Sequence, residues 1–193
     1  MTLERQLRRL QRRLERFYGL ERAPNVGEFL RLGAAKTREQ LLVQESHEGV
    51  FVAVVFPEDQ IPNEPLEPRD DWAQLIEAVS HFLFLAERTR VELPTTQLEL
   101  ELQAEIDKFV LLAASGGVDA FGLQQLHRWL YDDVRYLHPP ESELGARYRL
   151  ANYLAARFLH RLMQRERPEQ WRERLRAFYR AGQTEKINLA LAA

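Results

Sequence analysis

Residues 72–113 read WAQLIEAVSHFLFLAERTRVELPTTQLELELQAEIDKFVLLA. On a wheel of about 100° per residue, Trp72, Leu75, Ile76, Val79, Phe82, Leu83 and Ala86 fall on one broad apolar arc, and Ala78, Phe84 and Leu85 widen it. That period predicts a helix over about 71–90, with Asp70 and Asp71 at its positive end. What is left opposite is a narrow polar stripe of Gln74, Glu77, His81 and Arg88, expected to face protein rather than water. After the break at Pro94 the period resumes. Leu98, Leu102, Ile106, Phe109, Leu112 and Ala113 define an inward arc and predict a second helix over 94–114, with Pro94 in its first turn. Glu99 lies on the flank of that arc, while Glu101 and Lys108 share an ordinary polar stripe. Glu105 falls inside the arc. An ionised carboxylate on an apolar face is costly unless paired, so Glu105 is expected to meet an arginine or His81.

Downstream the same period predicts helices at about 120–134, 142–166, 168–181 and 184–191, the third of these opened by Pro168. In the long helix Leu144, Tyr148, Ala151, Ala155, Phe158, Leu159 and Leu162 face inward, Asn152 sits on their shoulder, and His160 is opposite. Upstream, Leu3, Leu7, Leu10, Leu14 and Phe17 recur every three or four residues, a short a/d seam with arginines on the other faces. Gly19 is the expected stop of this helix, and residues 20–37 read as a loop holding one helical turn. Leu41–Val43 and the unbroken apolar run Val50–Phe56 flank a glycine-containing turn, which predicts a β-hairpin at about 40–56. With no polar alternation, both faces of its second strand should be covered. The expected fold is mainly α: a single domain, 1–193, of five to seven helices, with an amphipathic helix at 1–18, the hairpin at 39–57 and a helical bundle at 71–191.

Composition narrows the function. The chain has no cysteine, which excludes disulfides and thiolate metal sites. No apolar run reaches the roughly 18 residues that span a bilayer, and arginine interrupts every apolar stretch before Phe17, so a cytoplasmic, soluble protein is expected. Arginine supplies 24 of the 27 basic residues, the usage of a GC-rich genome. The net charge of −2 conceals a division: +6 over residues 1–38, −13 over 39–119 and +5 over 120–193. Basic ends are thus expected to meet acidic surfaces, of this chain or another, while the modest overall charge argues against a nucleic-acid partner.

Glu77 and His81 are one turn apart on one helix, and Glu101 and Glu105 one turn apart on the next. Antiparallel packing would gather them into a carboxylate–imidazole cluster suited to a divalent metal, with Asn152 and His160 as possible neighbours. The competing expectation is a hydrogen-bonded ion network with no metal. The Glu-x-x-His repeat of di-iron bundles is missing, as are a phosphate-binding glycine loop, a nucleophile elbow and a zinc-protease motif. His47 with Glu45 and Glu48 reads as a solvated turn. The function expected from these features is a non-catalytic protein-interaction or adaptor module, a homo-oligomer through the N-terminal helix or the hairpin. A metal- or small-molecule-binding helical enzyme is the alternative.

Overall fold

Helix α1, Leu3–Tyr18, opens the computed structural model, which describes residues 2–21, 23–33, 40–46, 49–57, 70–116 and 119–192. Thr2 caps α1 by accepting from the Arg5 N–H. Gly19 ends it at φ 68° and ψ 41°, a left-handed conformation open to glycine, and the Leu20 N–H reaches back 3.0 Å to the Glu15 carbonyl. Contacts divide the chain into two units, Met1–Leu93 and Pro94–Ala193.

In the first unit α1 packs against α2, Asp70–Arg90. Leu3, Leu7, Leu10, Leu14 and Tyr18 are buried, so the leucine seam is spent within the fold. Between these helices lie a 3-10 turn, Val26–Phe29, and three strands: β1, Leu30–Gly33; β2, Gln40–Ser46; and β3, Gly49–Pro57. The sheet order is β1-β3-β2. β2 runs antiparallel to β3, Val43 opposite Val52, and β1 runs parallel to it, Leu30 opposite Val54. The sheet is therefore mixed and not a hairpin alone, and the stretch expected to be loop supplies its third strand. A four-residue strand has too little local signal to declare itself, because its hydrogen bonds go to β3 more than 20 residues away. The central place of β3 accounts for its unbroken apolar run, and Val54 is fully buried. Gln11 ties the 3-10 turn to α1, accepting from the Val26 N–H at 2.9 Å and donating to the Pro24 carbonyl at 2.9 Å. The His47 turn and the proline-containing stretch 58–69 lie outside the described residues.

The second unit is helical: α3, Gln97–Gly116; α4, Ala120–Tyr131; α5, Glu143–Arg165; α6, Pro168–Arg180; and α7, Gln183–Leu191. α3 packs against α4 and α5, and α5 also holds α7. α3 starts at Gln97 instead of Pro94 because Thr96 and Glu99 form a capping box. The Thr96 N–H donates to the Glu99 carboxylate at 3.0 Å, and the Glu99 N–H to the Thr96 Oγ1 at 3.1 Å. α4 stops three residues earlier than expected, where the Asp132 and Asp133 N–H groups both turn back to the Arg128 carbonyl. Seven helices and one small sheet among the described residues make the chain mainly α. None of those helices is long and apolar enough to cross a membrane.

Candidate functional site

Two places concentrate polar chemistry, one in each unit. In the first it is the outer face of α1. Arg5, Arg8, Arg9, Arg12, Arg13 and Arg16 fall on one arc of about 140°, opposite the buried leucines. Arg5, Arg9, Arg12 and Arg16 are exposed, and Arg8 and Arg13 half-buried. Glu4 reaches Arg8 only at 3.9 Å, and Glu15 is turned inward to accept from Gln11 at 2.8 Å and from the Ala23 N–H. Partial burial, then the repulsion of Arg9 and Arg16, lowers the pKa of Arg13.

In the second unit the concentration is internal. α3 is buried around nearly its whole circumference, and Gln103 and Asp107, one turn apart, are both fully enclosed. Lys186 of α7 enters the same interior with no exposed surface. Its ammonium donates to the Gln103 Oε1 at 2.6 Å, and the Gln103 Nε2 donates to the Asp107 Oδ1 at 2.9 Å. The ammonium also lies 4.8 Å from the centre of the Phe178 ring on α6. The glutamine amide thus bridges a buried cation and a buried carboxylate with its dipole aligned to both, a satisfied network that joins α3, α6 and α7. Arg161 of α5 secures the other end of α7 by donating to the Leu189 and Ala192 carbonyls, where the helix dipole is negative.

The residues singled out from the sequence are placed as follows. Glu77 and His81 lie one turn apart on α2 in the first unit, Glu77 buried and His81 half-buried. Glu101 and Glu105 belong to α3 in the second. Glu101 is buried and Lys108 is too, so the stripe expected to be ordinary is enclosed. Glu105 keeps only 15% of its side chain exposed and accepts from Lys108 at 2.7 Å. Residues three apart on a helix are neighbours, which places this lysine beside the carboxylate. Asn152 donates to the Leu130 carbonyl at 3.3 Å and so serves the end of α4. His160 is exposed, its ring 6.0 Å from that of His127, which binds the Ala156 carbonyl at 3.0 Å. Gln103, Asp107 and Lys186 escaped the sequence reading. One signal was available: in a chain that otherwise uses arginine, the lysines number three, and Lys108 and Lys186 are both buried while Lys36 lies outside the described residues.

Tyr131 closes the α3–α4 contact, its hydroxyl donating to the Glu105 carbonyl at 2.7 Å. Burial, then the charges of Glu105 and Asp107, holds its pKa well above 10.0. A raised folded pKa means the phenol's contribution is complete below the unfolded value and is lost as pH climbs beyond it, because only the unfolded chain then releases the proton. Stability is expected to fall above pH 10 by up to about 1.4 kcal/mol per pH unit from this group. Tyr131→Phe should flatten that slope in denaturant titrations between about pH 9 and 11.5, while lowering stability at neutral pH through the lost hydrogen bond. An unaltered slope would dissociate alkaline unfolding from Tyr131.

No protein-family model, no curated protein and no solved structure matches this chain.

Proposed function

We propose that the chain is a non-catalytic protein-interaction module. The observation that carries this reading is the division of labour in α1: its leucines are consumed against the first unit's own core, while on the opposite side four arginines are exposed and two more half-buried. A helix built so presents charge, and presented charge governs encounter and choice of partner more than chemistry. Support also comes from the second unit, where Lys186 donates to Gln103, Gln103 to Asp107, and Lys108 to Glu105, pairings that serve structure. A homo-oligomer formed through the leucine seam of α1 is not favoured, since opening that seam would expose core.

The test is purification of the tagged full chain from cells that carry it. A second polypeptide is expected in a fixed stoichiometric ratio, with a mass by light scattering equal to the sum of the two. A lone monomer containing one equivalent of divalent metal by elemental analysis would replace this reading with the metal-enzyme alternative.

A further inference from the structure

We propose that the arginine face of α1 is the docking surface for an acidic helical segment of a partner protein. This rests on the interaction-module reading and names the partner's chemistry. Arg5, Arg9, Arg12 and Arg16 follow one another at steps of four, three and four residues, which sets them in one exposed row along the helix. The row is about 16 Å long. Arg8 and Arg13 flank it on either side. A partner helix with carboxylates at the same steps repeats the same rise, so each acid meets one guanidinium. The guanidinium fork takes a carboxylate through two parallel N–H donors, a match that an ammonium cannot make.

Charge decides among occupants. A second copy of α1 would set six arginines against six, which excludes a symmetric pairing of this face. A nucleic-acid strand carries its charge well past 16 Å, whereas the rest of the first unit, residues 19–93, holds fourteen acidic residues against seven basic. A net charge of that sign opposes association with a long polyanion. A segment of three helical turns with four aligned acids matches both the length and the sign. The mutual repulsion that bears on Arg13 is relieved when such a segment arrives.

The experiment is fluorescence anisotropy on the full chain at low salt. The probe is a labelled 14-residue peptide with glutamates at the 4-3-4 steps, compared with one of equal composition whose glutamates are scattered around the helix. The aligned peptide is expected to bind several-fold tighter than the scattered one. Reversing Arg5, Arg9 and Arg12 to glutamate should weaken it by about tenfold or more. Reversing Arg172, Arg176 and Arg180 on α6 adds the same charge elsewhere and should change it little. A triple Arg→Gln variant at 5, 9 and 12, its helicity checked by circular dichroism, separates lost attraction from lost folding and should fall between wild type and the reversal. Equal losses from the α1 and α6 reversals would overturn the proposal, as would equal binding of the two peptides or tighter binding of a single-stranded oligonucleotide of the same length. A stoichiometric partner retained by both the wild-type and the α1-reversed chain would leave the interaction reading standing and remove this surface from it.

Discussion

Lys186→Ala is expected to lower the stability of the chain by about 3–5 kcal/mol, the range for removing one member of a buried charged pair. The ammonium has no exposed surface and touches three things at once: the Gln103 amide, through it the Asp107 carboxylate, and the face of Phe178. Removing it takes the cation away from a carboxylate that is itself fully buried, and leaves a cavity where the lysine stem had filled space between α3 and α6. Lys186→Met separates these effects. Methionine restores most of the stem's volume without the charge, so any loss that survives in Lys186→Met belongs to the electrostatics. Lys186→Arg is not expected to rescue, because a planar guanidinium needs more room than a fully enclosed site offers. Urea unfolding followed by far-ultraviolet circular dichroism reads all three as shifts in midpoint at an unchanged slope. A Met variant as stable as the wild type would mean that the ammonium contributes no net stability, and the network would then be a matter of register alone.

That network also marks where sequence reading stops. Helix positions were legible because burial in this chain is periodic: Gly19 ended α1, Pro168 opened α6, and the leucines of α1 announced an inward face. In α3 the same logic failed. A helix enclosed on nearly all sides has no solvent face for the wheel to find, so nothing in the period singles out Gln103 and Asp107, although both are wholly buried. Lys186 stands on a nine-residue helix, too short to show a period, and its partner is 83 residues away. The parallel strand β1 was hidden for the same reason, its meaning lying entirely in its pairing with β3. The wheel sets Glu105 on the apolar arc and Lys108 on the polar stripe, and the structure pairs the two across three residues of one helix. The Thr96-x-x-Glu99 capping box was present in the letters, and the more conspicuous Pro94 drew the helix start away from it. Element ends marked by glycine and proline are thus readable, while pairings within an enclosed helix and partners contributed from a distance are not.

Leu7→Ala and Leu14→Ala are each expected to destabilise the first unit by about 2–5 kcal/mol, because both side chains are fully buried and alanine leaves a cavity that packed neighbours close only in part. These variants decide how the leucine seam is used. Four leucines at steps of four, three and four residues suit a two-stranded coiled coil as well as a monomeric core, and the two uses differ in what a truncation changes. If the seam lies against α2 within one chain, the variants lower the unfolding midpoint at every protein concentration alike and leave the mass by light scattering unchanged. If it zipped two chains together, the midpoint would depend on concentration and the truncated chain would lose mass. The first outcome is expected, since Leu7 and Leu14 have no surface left to offer a second helix. Substitutions on the other side of α1, Arg5→Gln and Arg12→Gln, should leave the midpoint within about 0.5 kcal/mol of wild type, as exposed positions do. One helix would then be shown to hold the fold with one face and to keep the other free of that duty, and a concentration-dependent midpoint would overturn the assignment of both faces together.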